Sequence, residues 1–362
     1  MNQDDLSKKE QLVLYSLIKY PTLTDKQIAE AMNLKHSTVT SIRHRLKNNE
    51  YYRKLKIPSL QQMGCQMLVV IHTNFSPLIP LEDRVRITGK TIEVFEEIFF
   101  SVGEQDKGFS LSFSKDFATV GRVNDIRTKT FGKRGLLEEE YPTMVVFPFN
   151  ISKIYRFFDF APLIKKRFNL DVEETQKTQD FTINQHHSVG FSDTEKNAYC
   201  MMIRHPEMSD SAIAKEIGLS RHTISISRRR FEQNNLIKVI NLPNLLSIGF
   251  EIMAFYHIKF DPSIFPDMDN DEAALLISDS TIFFSSRLFE AIMISVYKDY
   301  DDYNADMMNI MKILKENKWI ASDPVIRTYG LHTLVYIKDF MFAPITQKML
   351  GCDPWVKKLL NI

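Results

Sequence analysis

The 362-residue sequence predicts an α+β protein in which two tandem copies of a winged helix-turn-helix are each followed by a ferredoxin-like βαββαβ domain. Three observations lead to this prediction: an internal repeat, helical periodicity with capping residues early in each copy, and alternating strand and helix patterns in the remainder. Apolar residues make up 44% and charged residues 25% of the chain, a mixture typical of a globular protein with sizeable cores.

The internal repeat spans almost the whole chain. A shift of 185 residues places residues 6–64 on residues 191–249 without a gap, and the offset falls to 182 where Phe160-Ala-Pro-Leu faces Phe342-Ala-Pro-Ile. The polar stretch at 173–190 is therefore predicted to be a linker. Winged helix-turn-helix units are predicted at 1–60 and 191–245. Ferredoxin-like domains with C-terminal tails are predicted at 65–172 and 250–362.

The first part of each copy is predicted to be helical. A serine followed three residues later by glutamate forms a capping-box pattern at Ser7 and again at Ser192. In both copies a proline ends this helix, and a short second helix and a tight turn follow. The third helix is predicted near 36–48 and 221–233, with β-prone wing residues after it at 51–57 and 236–242. This order of elements is that of a winged helix-turn-helix.

The second part of each copy reads strand, helix, strand, strand, helix, strand, which is the ferredoxin-like layout. In the first copy the strands are predicted at 67–72, 95–102, 108–113 and 143–147, with helices at 81–90 and 117–131. In the second copy the strands are predicted at 252–260, 281–288, 291–297 and near 332–337, with helices at 269–278 and 303–317.

Cations gather around the two third helices. The whole chain carries a net charge of only +1, which excludes a histone-like polycation. The segment from Lys35 to Lys56 contains seven cationic residues and one anionic residue. The segment from Arg221 to Lys238 contains five cationic residues and one anionic residue. Such clusters neutralise phosphates, so the third helices are predicted to bind double-stranded DNA. The alternative interpretation is a trihelical packing or protein-contact module whose basic helix face is merely solvated.

The predicted DNA contacts comprise the outward side of each third helix and the cations beside it, taken at 100° per residue. In the first copy they are Ser37, Thr40, Ser41, His44, Arg45, Arg53, Lys54 and Lys56. In the second copy they are Arg221, His222, Ser225, Ile226, Arg229, Arg230 and Lys238. The outward residues of the helices, Ser37, Thr40, Ser41 and His44 in the first copy and His222, Ser225, Ile226 and Arg229 in the second, are expected to approach base edges, whereas the wing cations are expected to contact phosphates.

Other kinds of site are not predicted. The cysteines Cys65, Cys200 and Cys352 are far apart without paired spacing, which predicts neither a disulfide framework nor a zinc site. His186-His187 in the linker is interpreted as solvated rather than metal-binding. No apolar run approaches the ~20 residues that cross a bilayer, and the polar start is unlike a signal peptide. A cytoplasmic protein without a cofactor or membrane partner is expected.

The third-helix residues resemble the Lrp/AsnC, or feast/famine, family of prokaryotic transcription regulators, especially its archaeal members. The family pattern of the third helix, roughly Leu-Ser-x-x-Thr-Val-x-x-Arg-Val-x-x-Leu, is matched by Leu34, Thr38, Val39, Arg45 and Leu46 in the first copy, and by Leu219, Ser220, Thr223, Ile224 and Arg230 in the second. Lys35 replaces the serine in the first copy, where Glu50-Tyr51-Tyr52 also replaces the family's Gly-Val-Ile. The resemblance implies a sequence-specific DNA-binding transcription regulator.

The resemblance also implies a small-molecule effector, such as an amino acid, at a Gly-x-x-Asp loop between the second and third strands. Gly103 and Asp106 occupy that place in the first copy, and a plain β-turn is the alternative interpretation of these residues. The second copy lacks both residues. Because family members pair through this domain, the two halves are predicted to form an intramolecular pseudo-dimer, and further homo-oligomers remain open.

Two rival functions share this layout. Siroheme decarboxylases combine a winged helix with a ferredoxin-like domain and use His and Arg near the sheet. Their Tyr-Asn-Leu-Phe type of run is missing from this sequence, so the chain is predicted not to be an enzyme. The second rival is an architectural DNA-binding protein of low specificity, against which the near-neutral net charge argues.

Overall fold

The computed structural model describes residues 6–138, 141–172 and 189–352. These residues confirm the α+β class and contain two ferredoxin-like sheets. The linker prediction, with His186 and His187, falls almost entirely outside the described residues. None of the helices in the described ranges is long and apolar enough to cross a membrane.

The first half of the chain begins with three helices, α1 (Lys8–Lys19), α2 (Asp25–Ala31) and α3 (His36–Asn48). After these come β1 (Tyr52–Pro58), a short 3₁₀ helix (Leu60–Met63), β2 (Met67–Asn74), α4 (Leu81–Glu93), β3 (Ile98–Gly103) and β4 (Lys107–Ser114). The half ends with α5 (Phe117–Lys133), β5 (Thr143–Pro148), β6 (Ser152–Phe157) and α6 (Ala161–Phe168).

The second half follows the same order apart from its 3₁₀ helix, which takes the place of α4; it begins with α7 (Asp193–Arg204), α8 (Asp210–Ile217), α9 (Arg221–Gln233), β7 (Ile237–Pro243) and β8 (Ile252–Lys259). A second 3₁₀ helix (Glu272–Leu276) is followed by β9 (Thr281–Arg287), β10 (Glu290–Tyr297), α10 (Tyr300–Glu316), β11 (Val325–Gly330), β12 (Val335–Lys338) and α11 (Ala343–Leu350).

Both predicted capping boxes form at the start of the helical parts. The backbone N–H of Ser7 donates to the Glu10 carboxylate at 2.8 Å, and that of Ser192 donates to Glu195 at 2.9 Å. The reciprocal bonds satisfy N–H groups that have no partner inside the helix, which fixes where α1 and α7 begin.

Each sheet contains one strand from the opposite half of the chain. The strand orders are β12-β3-β4-β2-β5 and β11-β8-β10-β9-β6. At one edge β12 pairs antiparallel with β3, and at the equivalent edge β6 pairs antiparallel with β9. The two halves of the chain therefore exchange their fifth strands.

The chain forms two compact units that mix both halves. Among the described residues, the first unit contains 6–54, 151–172 and 240–333, and the second contains the remainder. Each unit thus combines the helix-turn-helix of one half with the sheet of the other.

The predicted wings also differ from expectation, because β1 and β7 pair with each other as a two-stranded sheet.

Two predicted elements of the second half are corrected. Residues 269–278 form only a 3₁₀ helix, since the Asp267 carboxylate accepts hydrogen bonds from the N–H groups of Asp269 and Asn270 and holds a turn there. The last strand of the βαββαβ unit is β11, not residues 332–337. That region instead contributes β12 to the sheet of the other half.

Candidate functional site

An ion pair orients each third helix against the second helix. The Arg43 guanidinium lies 2.5 Å from the Asp25 carboxylate, and Arg228 lies 2.5 Å from Asp210 at the equivalent position of the second copy. The four side chains are only 19–24% exposed, so water screens these pairs less than it screens surface pairs. Both pairs hold the helix-turn-helix angle in place.

A second ion pair joins each third helix to the capping box of the first helix. Arg45 pairs with Glu10, and Arg230 pairs with Glu195 and donates to the carbonyl of Gly190 at 2.8 Å. Burial raises the pKa of Glu195, but the hydrogen bonds from Arg230 and Ser192 outweigh it and leave that pKa below its usual value. Arg45 and Arg230, predicted as DNA contacts, therefore have a partner inside their own three-helix unit.

The outer side of α3 is polar and open. Ser37, Ser41 and His44 are exposed, while Val39, Ile42 and Leu46 are buried on the opposite side. Thr40 is only partly exposed, because its hydroxyl donates to the Asp25 carboxylate at 2.7 Å. The helical spacing thus separates a core stripe from an outer stripe as the sequence predicts.

The outer side of α9 carries more charge. Arg221, His222 and Arg229 are exposed, and Ser225 is partly exposed. Ile226 lies on the same side and is 53% exposed. An aliphatic side chain beside arginine and histidine can contact a thymine methyl group while its neighbours bond polar base edges.

The wing cations are placed unequally. Arg53 is exposed, and Lys54 and Lys238 are partly exposed. Lys56 is only 5% exposed in β1, so it cannot reach a phosphate from this position. We therefore withdraw Lys56 from the predicted DNA contacts.

The predicted effector loop leaves no room for a ligand at the backbone of Gly103. A Cβ at this position would lie 3.0 Å from the Lys107 carbonyl oxygen and 3.2 Å from the Arg84 guanidinium. The space beside Gly103 is thus occupied by the protein's own hairpin and by the buried Arg84. Asp106 is exposed, its carbonyl accepts from the Phe75 N–H at 2.7 Å, and its carboxylate lies 3.6 Å from the Lys107 ammonium. The plain turn is the interpretation that fits Gly103 and Asp106.

A cavity of about 290 Å³ lies elsewhere in the second unit and was not predicted. Its lining combines two cations, one carboxylate, one threonine and apolar groups, namely Lys115, Lys348, Glu97, Thr119, Met63, Gly64, Ile345 and Met349. The Lys348 ammonium lies 2.7 Å from Glu97 and 3.0 Å from Glu96. Burial lowers the pKa of Lys348, but its bonds to these carboxylates outweigh it and raise that pKa overall.

The internal repeat explains how the cavity arises. Gly64 corresponds to Gly249, and both have positive φ, 96° and 86°. In the first unit the Arg167 guanidinium lies 2.8 Å from the position of a Cβ on Gly249 and donates to the Ile248 carbonyl at 3.1 Å. Met349 stands where the repeat has Arg167, and it lies 3.6 Å from the Cβ position of Gly64. The shorter, uncharged side chain leaves space beside the glycine.

Two buried histidines occupy equivalent strand positions, His72 on β2 and His257 on β8. The His257 ring lies 2.8 Å from the Glu290 carboxylate, which also pairs with Arg287 at 2.6 Å. The sequence patterns pointed only to histidines on the third helices and in the linker, and did not predict this pair. The 185-residue offset was the signal that could have found this pair.

Comparison with known proteins gives structural matches only. No protein-family model and no curated protein sequence matches the chain. The siroheme decarboxylase NirDL, in complex with an iron-uroporphyrin III analogue, matches with a TM-score of 0.52 and 8% identity, covering 98% of this chain and 99% of that one. A second NirDL structure gives a TM-score of 0.50 and 7% identity over 94% of this chain and 98% of that one. An AsnC family transcriptional regulator from Agrobacterium tumefaciens matches with a TM-score of 0.33 and 9% identity, covering 50% of this chain and 100% of that one.

These matches correct one prediction. At 8% identity the likeness to NirDL is one of fold, and it extends over both halves of the chain. Solved chains with this full-length fold belong to an enzyme, which counts against the prediction that this chain is not an enzyme, and we withdraw that prediction.

Proposed function

We propose that this chain is a sequence-specific transcription regulator that binds double-stranded DNA through α3 and α9. The observation that carries this proposal is the same in both copies. Arginine–carboxylate ion pairs hold the third helix against the first and second helices, and the outer side of that helix is polar and exposed. A rigidly held helix with an open polar side is suited to the major groove.

The two helices would read different bases. On α9, Arg229 can form paired hydrogen bonds with a guanine, and Ile226 can meet a thymine methyl group. On α3, the hydroxyls of Ser37 and Ser41 and the imidazole of His44 are shorter groups that approach base edges closely. Because the outer residues of the two helices differ, the preferred site should consist of two unlike half-sites.

Phosphate contacts would come from the cations next to the reading surface. Arg53, Lys54 and Lys238 follow the third helices, and Arg221 begins α9. The main role of Arg45 and Arg230 in DNA binding would be to hold the reading helix against the first helix. This division predicts that only a subset of the local cations contributes to the salt dependence of binding.

Selection of bound duplexes from a random library, followed by competition binding at fixed salt, tests the proposal. A regulator should prefer its selected duplex to a shuffled one by about 10³-fold or more. An architectural protein would show a far smaller preference, and an absence of duplex binding would reject both. Lys90→Ala, an exposed lysine of α4, is the matched control for variants of the reading helices.

The effector of such a regulator is best accommodated in the 290 Å³ cavity of the second unit. Lys115 and Lys348 can bind a carboxylate, and Glu97 can accept from an ammonium group, which together favour a small amino acid or similar zwitterion. Calorimetric titration with a panel of amino acids tests this, with Lys115→Ala expected to weaken binding at least about tenfold. Equal affinity of Lys115→Ala and the parent for every amino acid would reject the site.

A second candidate is enzymatic action on a tetrapyrrole. Two observations favour it. The fold resembles siroheme decarboxylase over the full length, and His257 on the sheet pairs with Glu290, which also pairs with Arg287. Titration of the protein with iron-uroporphyrin, followed by absorbance, distinguishes the candidates. A saturable spectral shift that is lost in His257→Ala, with DNA specificity absent, would favour the enzyme over the regulator.

A further inference from the structure

Two cysteines that are distant in sequence meet in the second unit. Cys200 lies on α7, Cys352 follows α11, and their Sγ atoms are 2.9 Å apart. Helices α7 and α11 pack on each other, and the Arg204 guanidinium of α7 donates to the Gln347 side chain of α11 at 3.1 Å. The contact between the thiols is therefore part of a helix–helix interface.

The equivalent interface in the first unit contains no thiols. There α1 packs on α6, and the repeat places Tyr15 and Leu170 where the second unit has Cys200 and Cys352. The same helix packing is thus achieved without cysteine. The thiol pair needs an explanation other than the packing itself.

We propose that Cys200 and Cys352 form a reversible disulfide when the protein meets a hydroperoxide, and that this bond ties the second helix-turn-helix to α11. A disulfide has an S–S distance of about 2.05 Å, so the two sulfur atoms must approach by only about 0.9 Å. The proposal does not depend on what the helix-turn-helix binds.

The two thiols have different roles in this reaction. Cys352 is partly exposed, whereas Cys200 is only 5% exposed. The hydrogen bond from Cys200 lowers the pKa of Cys352, against the opposing effect of burial, and Lys196 assists. The same hydrogen bond and burial raise the pKa of Cys200. Cys352 is therefore the thiolate that attacks the peroxide, and Cys200 is the buried resolving thiol that forms the disulfide in the second step.

The reaction balances in two steps. The Cys352 thiolate attacks one oxygen of the hydroperoxide, the O–O bond breaks, and a sulfenic acid forms at Cys352 as the alcohol, or water from hydrogen peroxide, leaves. The Cys200 sulfur then attacks the Cys352 sulfur, the S–O bond breaks, and the hydroxide leaves as water with the Cys200 proton. The two sulfur atoms lose two electrons in total, and the peroxide oxygen atoms gain them. A dithiol reductant reverses the bond by thiol–disulfide exchange.

Intact-mass spectrometry of the full chain treated with hydrogen peroxide tests this inference. The parent and Cys65→Ser should each lose about 2 Da, regained on reduction with dithiothreitol, and peptide mapping should recover a cross-link between Cys200 and Cys352. Cys65 is the matched control because it is buried at a different place, and burial raises its pKa to about 12.

Two variants separate the roles of the thiols. In Cys200→Ser, peroxide should leave a sulfenic acid at Cys352 that dimedone traps, with no loss of mass. In Cys352→Ser, Cys200 should resist dimedone because it is buried. A parent that keeps both thiols free under conditions that label Cys352 in Cys200→Ser would overturn the proposal. A cross-link that persists in Cys200→Ser would overturn it as well.

Discussion

Arg45 lies on the outer side of α3 with 57% of its side chain exposed, yet its guanidinium pairs with Glu10, which is 6% exposed at the start of α1. Glu10 thereby serves two elements, because it also accepts from the backbone N–H of Ser7 in the capping box. Arg230 and Glu195 repeat the arrangement in the second copy. A single carboxylate thus fixes both the first turn of one helix and the position of the helix proposed to read DNA.

This double role predicts a graded loss of stability at Glu10. Glu10→Gln should keep the capping box but lose the ion pair, at a cost of about 1 kcal/mol in the free energy of unfolding. Glu10→Ala loses both and should cost about 2 kcal/mol. Urea denaturation measures the difference, and Glu30→Gln on the exposed side of α2 is the control. Equal stability of the Gln and Ala variants would contradict the account.

The lowered pKa of Glu195 predicts a dependence of stability on pH. Since the folded-state pKa lies below the ordinary value of 4.5, the carboxylate stabilises the fold above that pH, and the stabilisation is lost as pH falls through the folded-state pKa. The difference in unfolding free energy between the parent and Glu195→Gln should be full at pH 7 and shrink below about pH 4. A difference that stays constant down to pH 3 would show that this carboxylate is not the titrating group.

Strand exchange predicts that the halves hold together without a covalent link. A protease site inserted in the 173–188 segment would allow the chain to be cut after folding. Because β6 and β12 each complete the sheet of the other half, the two fragments should co-elute in size-exclusion chromatography. Uncut protein is the control, and separation into two folded fragments without denaturant would argue against the exchange.

The proposed phosphate contacts predict a change in salt dependence. Lys54→Ala and Lys238→Ala should weaken binding to all duplexes alike, and each should reduce the slope of log affinity against log salt by about 1. Lys56→Met is the internal comparison, because Lys56 is buried and should leave the slope unchanged. Variants that alter sequence preference instead of the slope would reverse the assigned roles.

The cavity predicts that one substitution can remove the proposed effector site. In the first unit the equivalent position is occupied by Arg167, which lies beside Gly249. Met349→Arg therefore introduces an arginine beside Gly64. The guanidinium should fill the cavity and abolish amino-acid binding in calorimetry while the unfolding midpoint stays within a few degrees of the parent's. Retained binding in Met349→Arg would place the effector elsewhere.

Local patterns predicted most of the helices and strands, because caps, periodicity and turns act over a few residues. The capping boxes at Ser7 and Ser192 are examples. The same patterns could not show that β12 joins the sheet of the other half, since an edge strand has the same composition whichever sheet accepts it. The region 332–337 was misassigned for this reason.

The candidate site was predicted less completely than the fold. Arg45 was predicted as a DNA contact because it is a cation of the third helix, but the sequence pattern does not show that its long side chain reaches back to Glu10. Strand alternation did not predict the burial of Lys56, and sequence spacing gave no sign that Cys200 would meet Cys352. Each of these depends on a contact made between elements distant in sequence.

The central claim is that α3 and α9 read the sequence of a duplex, and competition binding by the parent and Arg229→Ala tests it most directly. At fixed salt the parent should prefer its selected duplex by about 10³-fold or more, and Arg229→Ala should reduce that preference by about tenfold, chiefly at one guanine. Lys90→Ala should leave the preference unchanged. A parent that binds selected and shuffled duplexes equally, or an Arg229→Ala variant with undiminished preference, would contradict the claim.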